Sequence, residues 1–137
     1  MRYDDLCDVG DPVLSVITPS LNHAAFLRET IETVAAQRFR NFEHIVVDGG
    51  STDGTVEILE DYPHLRWISE KDRGVLDAYR KALSRVRGRY VIQCCVSDGF
   101  LSRNWFQRAV GLLDADPSLS LVWALPQYMT EQGELQG

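Results

Sequence analysis

The sequence predicts an α/β fold in which helices cover both faces of a doubly wound, mostly parallel sheet. Short apolar runs rich in β-branched residues alternate with helical patterns along the 137-residue chain, as in parallel strands joined by crossover helices. The run at residues 90–96 is mostly apolar without alternation, which is expected of a central strand covered on both faces. Polar or glycine-rich loops follow the strands, and a Rossmann-like sheet of this kind binds ligands beyond the carboxyl ends of its strands.

The first two predicted units each consist of a strand, a loop and a helix. Residues 14–18 form a β-rich run that Pro19 and Ser20 stop, and a helical pattern follows. Residues 42–47 form the second run, and the turn-rich segment 48–54 leads into another helix, for which Asp53 is the expected cap. Apolar residues on one face mark the two helices: Phe26, Leu27, Ile31 and Val34, then Val56, Ile58 and Leu59.

The third unit repeats this order. A strand at residues 65–68 precedes a polar loop through Gly74. A helix is predicted from about Val75 to Val86, and it ends before Gly88. The strand at residues 90–96 follows directly, so its loop opens on the same edge of the sheet as the others.

The last part of the chain is predicted to add one helix and one strand. Ser102 is the expected cap of a helix from Arg103 to Leu113, and Leu119 to Leu125 is predicted as a strand. The polar tail at residues 130–137 is expected to fray. No repeat or linker divides the sequence, so we expect residues 1–137 to form a single domain.

Composition excludes several classes of protein. The net charge of −6 argues against a nucleic-acid binder, because that affinity rests mainly on clustered Lys and Arg, and the basic residues near 80–89 are expected to form a solvated helix face. No apolar run approaches the roughly 18 residues that a membrane span needs, and the first residues lack the features of a secretory signal. These observations predict a soluble protein without a membrane span.

The three cysteines indicate a reduced, cytoplasmic protein. Cys7, Cys94 and Cys95 cannot all pair with one another, and adjacent residues in a strand point to opposite faces of the sheet. The sequence contains no Cys-x-x-Cys motif and no Cys and His spacing suited to zinc. We therefore expect these thiols to be packing residues.

The loops at the predicted carboxyl edge carry the candidate binding residues. Asp48 follows a strand directly, where its carboxylate can accept hydrogen bonds from a base or ribose, and Gly49 and Gly50 let the backbone approach a ligand closely. A plain turn between strand and helix explains the same residues without a ligand. Asp72 and Arg73 precede a helix N-terminus and are candidates for a ribose or base and for a phosphate, although a solvated charged loop is the alternative.

Asp98 is the candidate metal ligand. It follows the central strand, where one carboxylate can hold Mg²⁺ or Mn²⁺ against a diphosphate whose oxygens and waters complete the coordination shell. The alternative is local hydrogen bonding in a turn before Gly99. The segment 48–52 also matches the phosphate-binding turn of actin-like and sugar-kinase-like ATPases, but that turn belongs in a β-hairpin, and here a helical pattern follows.

Three segments together closely resemble family 2 glycosyltransferases: 14–22 (L-S-V-I-T-P-S-L-N), 45–55 (I-V-V-D-G-G-S-T-D-G-T) and 67–78 (W-I-S-E-K-D-R-G-V-L-D-A). The resemblance runs from about Val13 to Gly133 and implies the fold called GT-A. It implies that the nucleotide lies against Thr18, Pro19, Ser20, Asp48, Gly49, Asp72, Arg73, Gly74 and Ser97, with Asp48 as the base-contacting acid. Asp98 matches the final acid of a D-x-D type metal motif, so Mg²⁺ or Mn²⁺ is implied as the cofactor.

The same resemblance implies a reaction and its partners. A sugar would pass, with inversion, from a UDP-, GDP- or dTDP-sugar to a hydroxyl of a saccharide or lipid-linked acceptor, as in polysaccharide biosynthesis. The family's general base lies in an acceptor-binding half, before which this chain is expected to stop. Asp114 and Asp116 come too early for that role, so the catalytic base is unassigned.

Departures from the family pattern keep a second hypothesis open. Val96 and Gly99 stand where relatives commonly carry polar or acidic residues, and Arg80 and Ala82 stand where relatives often show Asn and Gly. These departures favour a module that binds nucleotide sugars without catalysis. The intact motifs of the donor side favour the transferase, and an actin-like or sugar-kinase-like ATPase fragment is the more distant alternative.

Overall fold

A computed structural model describes residues 10–130 and 132–136 of the chain. Four parallel strands form one sheet in the order β3-β2-β1-β4. In chain order, the elements of this part are β1 (Leu14–Ser20), α1 (Ala24–Ala35), β2 (Phe42–Asp48), α2 (Thr55–Glu60), β3 (Leu65–Ser69), α3 (Val75–Leu83), β4 (Tyr90–Gln93) and α4 (Trp105–Ala115). The predicted parallel α/β sheet is confirmed.

Alternation along the strands divides the core into two layers. Val16 and Val46 pack with residues of α1, α2 and α4 on one face, while Ile17 and Ile45 pack against α3 on the other. Adjacent strand residues point to opposite faces, so each of these short apolar runs serves both layers. Helices on both faces make β1 and β2 the buried centre of the described sheet. The run at residues 90–96 was predicted as the central strand, but β4 lies at an edge beside β1 and Val91 is 45% exposed, because no other described strand pairs with its outer side.

The strand order reverses beside β1. The chain runs outward from β1 through β2 to β3, and it then returns along α3 to place β4 on the other side of β1. A reversal of this kind opens a crevice at the carboxyl ends of the two neighbouring strands, and ligands of doubly wound sheets bind there. The loops after β1 and β4 therefore flank the expected binding crevice.

Two predicted boundaries differ from the structure. The third helix ends at Leu83 instead of Val86, since the backbone N–H groups of Arg85 and Val86 bond carbonyls three residues earlier in a tighter final turn. Strand β4 ends at Gln93, so Cys94 and Cys95 lie just after the strand and not within it. Both thiols are free, Cys94 is buried, and Cys7 lies outside the described residues.

The cap of α4 was predicted wrongly. The helix begins at Trp105, and its Phe106 N–H donates to the side-chain oxygen of Gln37 at 3.1 Å. The Gln37 amide also donates to the carbonyl of Ser102 at 2.7 Å, so this fully buried residue satisfies the helix start from the end of α1. The Ser102 hydroxyl, which was the predicted cap, accepts from the backbone N–H of Asn104, before the helix begins.

The C-terminal part also differs from the expectation. Residues 119–125 form no strand, because none of the described strands pairs with them, and their Leu121, Trp123 and Leu125 side chains are exposed. Two short strands, β5 (Tyr128–Met129) and β6 (Leu135–Gln136), pair antiparallel in a hairpin, which the sequence analysis did not predict. Among the described residues, no helix combines the length and apolar character needed to cross a bilayer.

Candidate functional site at the carboxyl edge of the sheet

Asp48 is the centre of the loops at this edge. Its carboxylate accepts hydrogen bonds from the N–H groups of Gly50 (3.1 Å) and Ser51 (2.9 Å), from the Ser51 hydroxyl, and from the Ser69 hydroxyl at 2.6 Å. The residue is completely buried. The structure therefore gives Asp48 the role of tying β2, its following loop and β3 together, and a direct bond to a base, as predicted, would require this loop to open.

A second set of bonds joins the loops after β1 and β2. The side-chain oxygen of Asn22 accepts from the Thr52 N–H at 2.9 Å, and the N–H of Asn22 donates to the Ser51 hydroxyl at 2.7 Å. Asp53 accepts from the N–H groups of Thr55 in α2 and Ala24 in α1. Asp53 therefore makes the expected contact with the second helix, and it also accepts a hydrogen bond from the first residue of the first helix. The two loops form one continuous platform.

The three predicted contact residues at the end of β1 differ in what they expose. Thr18 is fully buried, and its hydroxyl lies 2.8 Å from His44 Nε2. Burial, with a smaller contribution from His64, lowers the pKa of His44 to about 3, so its ring is neutral. Ser20 is 4% exposed, and its hydroxyl oxygen has no hydrogen-bond partner within the described part of the chain. A buried hydroxyl without a partner is unusual, and a bound ligand would supply one. Pro19 is partly buried between these two residues.

The Asp72 carboxylate lies directly against Gly49 at this edge of the sheet. A methyl group built on Gly49 would lie 2.5 Å from the Asp72 carboxylate oxygen Oδ2 and 3.3 Å from the side chain of Leu21. The backbone of Gly49 is also held, since its N–H donates to the carbonyl of Ser20 at 2.9 Å. Only a residue without a side chain lets the Asp72 carboxylate lie over this turn, next to the partly exposed Leu21.

The other carboxylate oxygen of Asp72 accepts a hydrogen bond within its own loop. Oδ1 accepts from the Gly74 N–H at 2.9 Å, just before α3. Arg73 is exposed, and its guanidinium makes no contact with the described residues, while its N–H donates to Asp77. The pKa of Asp77 is held below its usual range, chiefly by the hydrogen bond from Arg80. The loop thus presents one carboxylate oxygen and one unpaired guanidinium.

Asp98 lies beyond β4 on the other side of β1. Its side chain is exposed and makes no hydrogen bond to the described residues, whereas its backbone carbonyl accepts from the buried hydroxyl of Thr30 at 3.0 Å. Ser97 has a left-handed backbone (φ 77°), and its N–H donates to the same Thr30 hydroxyl at 3.1 Å. The structure therefore presents a free carboxylate on a fixed backbone.

This carboxylate fits a divalent cation shared with a ligand. Within residues 10–130 and 132–136, no three His, Cys, Asp or Glu side chains converge as a ready-made metal site. Mg²⁺ and Mn²⁺ bind to oxygen, and Mg²⁺ usually takes one or two carboxylates together with phosphate oxygens and water. One free acid at the carboxyl edge of the sheet agrees with that chemistry, and Asp98 is the residue that would hold the ion.

The Cys94 thiol near Asp98 is a poor nucleophile. Burial, together with the nearby Asp98 and Cys95, raises the pKa of Cys94 to about 12. Burial and the neighbouring Cys95 and Asp98 likewise raise the pKa of Tyr79 to about 12, and the phenol lies 3.5 Å from the Cys95 sulfur. Cys94 and Tyr79 therefore stay protonated at neutral pH, and the buried Cys94 has the packing role expected of it.

The structure therefore divides the predicted site residues into two groups. Side chains that remain available at the edge belong to Ser20, Asp72, Arg73 and Asp98, while those of Thr18 and Asp48 support the loops from inside. Sequence reasoning missed Thr30 in α1 and Gln37 just after it, because neither residue type carries a signal that its side chain reaches a distant loop. A shallow depression of about 530 Å³ along α4 lies elsewhere and is lined by Asn104, Gln107, Arg108, Gly111 and Leu112, which include no acid.

Comparisons with known proteins agree with this geometry. The family model described as Glycosyl transferase family 2 matches residues 15–135. The Bacillus subtilis protein named for teichuronic acid biosynthesis, the glycosyltransferase TuaG, is 41% identical over 86 residues, which are 58% of this chain and 34% of that protein. The chain therefore spans about a third of the length of this curated relative.

Solved structures share the fold. The mannosyltransferase PcManGT from Pyrobaculum calidifontis, in complex with GDP-Man and Mn²⁺, superposes with a TM-score of 0.71 at 29% identity, over 87% of this chain and 37% of that one. The structure of S. aureus TarS 1-349 in complex with UDP-GlcNAc gives a TM-score of 0.67 at 28% identity, over 74% of this chain and 31% of that one. The present chain corresponds to about a third of each.

Proposed function

The chain belongs to glycosyltransferase family 2, and we propose that it forms the donor-binding part of an enzyme that transfers sugar from a nucleoside diphosphate. The observation that carries the proposal is the free Asp98 carboxylate on one side of β1, with the Asp72 carboxylate over Gly49 on the other. Strand spacing places the ends of β2 and β4 roughly 10 Å apart, with β1 between them. A nucleoside diphosphate can bridge that distance.

We assign the base end of the ligand to Asp72 and give Asp48 a supporting role. The Oδ2 atom of Asp72 can accept a hydrogen bond from a ring N–H, which uracil, thymine and guanine carry and which adenine and cytosine lack. The unpartnered hydroxyl of Ser20 and the partly exposed Leu21 lie at the same turn and add a polar and an apolar contact. A UDP-, GDP- or dTDP-sugar therefore suits the site better than an ADP- or CDP-sugar.

The diphosphate end lies toward Asp98 and Arg73. A divalent cation held there would neutralise charge that develops on the leaving nucleoside diphosphate. Asp98 would hold that ion, and the unpaired Arg73 guanidinium would add a second positive charge beside the phosphates. Each residue acts by binding and orienting the donor, so this part of the chain explains donor recognition.

The proposed reaction also needs an acceptor hydroxyl and a group that removes its proton. Inversion at the anomeric carbon requires a general base that takes the proton of the acceptor hydroxyl. Asp114 bonds Arg89 and Tyr90, and Asp116 bonds Ser118, so both acids have structural partners, and we assign no catalytic base. We propose a saccharide or lipid-linked acceptor and a cytoplasmic location. We also propose a role in polysaccharide biosynthesis, and the name of TuaG supports that role alone.

Calorimetric titration tests this assignment. We expect UDP, GDP or dTDP to bind more tightly in the presence of Mn²⁺ than in its absence, and Asp98→Ala to abolish that difference. Binding that is independent of the metal and unaffected by Asp98→Ala would favour a non-catalytic module. A preference for ATP over all three diphosphates would contradict the proposal and favour the ATPase alternative.

Gly49→Ala is expected to weaken nucleotide binding without unfolding the protein. The new methyl group must displace the Asp72 carboxylate, which is partly exposed and held by a single bond from the Gly74 N–H, so the cost in folding free energy should be about 1 kcal/mol. Affinity for UDP should fall by about tenfold if Asp72 contacts the base. Gly111→Ala is the matched control, because it lies on α4 with nothing within 4 Å of the added methyl. Unchanged UDP affinity in Gly49→Ala would argue against the assignment of Asp72.

A further inference from the structure

The position of Asp98 depends on a short turn, in which the Asp98 N–H donates to the Cys95 carbonyl at 3.0 Å. Ser97, the residue before it, has φ 77°, a left-handed conformation that residues with a side chain adopt rarely. Ser97, Asp98 and Gly99 are all exposed, so burial contributes little to fixing them. Such a conformation persists only where the surrounding structure holds it.

Thr30 of α1 supplies that restraint. Its buried hydroxyl accepts from the Ser97 N–H at 3.1 Å and donates to the Asp98 carbonyl at 3.0 Å, so it holds the peptide group before Ser97 and the peptide group after Asp98. The hydroxyl has one proton and two lone pairs, and these two bonds use it as both donor and acceptor. The buried Leu27, Ile31 and Val34 fix the helix itself against the sheet.

A second threonine one turn away shows that this arrangement is not a general property of helical threonines. A threonine inside a helix commonly bonds a carbonyl of the preceding turn. Thr33 does so, because its hydroxyl donates to the carbonyl of Thr30 at 3.0 Å. The hydroxyl of Thr30 instead leaves its own helix and bonds a loop 67 and 68 residues away in sequence.

We propose that Thr30 is a positioning residue that sets the orientation of Asp98 toward the cation and diphosphate. This inference rests on the proposed function, since it concerns the same metal-binding acid. Val96 and Gly99, which flank the turn, have no polar side chains to brace Asp98. The hydroxyl of Thr30 holds the backbone on both sides of Asp98 instead.

The test measures the factor by which Mn²⁺ tightens UDP binding, together with thermal unfolding of each variant. Thr30→Val keeps the shape and removes the hydroxyl, and we expect it to reduce that factor by about fivefold or more. Thr30→Ser restores the hydroxyl and should restore the factor. Thr33→Val makes the same chemical change on the same helix without touching a bond to Ser97 or Asp98, so the factor should not change.

The Asp98→Ala background separates positioning from a general loss of stability. There, adding Thr30→Val should leave UDP binding unchanged, because no acid remains to be positioned. If the wild-type chain shows metal-dependent binding and Thr30→Val retains the full factor, the positioning role is overturned and the proposed function stands. If the wild-type chain itself shows no metal dependence, both are overturned.

Discussion

Replacing Asp48 with alanine is expected to lower the free energy of unfolding by about 3 kcal/mol or more. The change leaves four donors without an acceptor, namely the N–H groups of Gly50 and Ser51 and the hydroxyls of Ser51 and Ser69. Hydrogen bonds to charged groups contribute about 1.5–3 kcal/mol each, although water can reach the donors nearest the surface and reduce their cost. Urea unfolding followed by circular dichroism measures the loss.

Asp72→Ala is the matched control for this prediction. Asp72 makes a single bond to the Gly74 N–H and is partly exposed, so its removal should change stability by less than about 1 kcal/mol. The two variants should therefore separate, with Asp48→Ala affecting folding and Asp72→Ala affecting UDP affinity. A stable Asp48→Ala protein that has lost only nucleotide affinity would show that Asp48, and not Asp72, contacts the ligand.

Glu43 is the second position where a large effect is expected. Its nearly buried carboxylate, at the opposite edge of the sheet, accepts from the Ser15 hydroxyl at 2.6 Å, from Arg66, and from the backbone and side chain of Arg87 at 2.8 and 2.9 Å. Breaking a buried pair costs about 3–5 kcal/mol. Since both arginines are partly exposed and can turn to water, we expect Glu43→Gln to cost about 2 kcal/mol.

The stabilisation by Glu43 should depend on pH in a defined direction. Burial alone would raise the pKa of this carboxyl, but the hydrogen bonds from Ser15, the Arg87 backbone and the two arginine side chains outweigh burial and lower it. A lowered pKa in the folded state stabilises the protein above the unfolded value of about 4.3, and this contribution is lost as the pH falls through the folded value. The stability difference between wild type and Glu43→Gln should therefore be full at pH 7 and shrink below about pH 4. A difference that stays constant over this range would contradict the assignment.

Much of the fold was predictable because strand and helix signals are local. The apolar runs near β1 and β2 lie in a sheet covered on both faces, and the order of elements fixed the parallel class. The prediction of a strand at residues 119–125 was wrong. A strand requires a pairing partner, and apolar composition does not show whether one is present. The prediction of the α4 cap was wrong because the acceptor, Gln37, lies just after α1 and 69 residues before Phe106 in the chain.

The site was predictable in location but only partly in detail. Sheets of this class bind ligands at one edge, so the loops after β1, β2, β3 and β4 could be chosen without coordinates. Sequence alone does not show whether a side chain points outward or inward, and Asp48 and Thr18 point inward. The contact of Asp72 over Gly49 depends on the register between β2 and β3, which brings Asp48 level with Ser69.

The most direct test of this account is to locate the cation on the folded chain. Amide NMR spectra of the protein with UDP should be compared with Mg²⁺ and with paramagnetic Mn²⁺, which broadens signals close to the ion. We predict that Mn²⁺ broadens the signals of Ser97, Asp98 and Gly99 most strongly, followed by those near Ser20, and leaves Arg87 and Gly88 at the opposite edge sharp. Broadening centred on the opposite edge, or no broadening that depends on UDP, would contradict a nucleotide and metal site at the carboxyl ends of these strands.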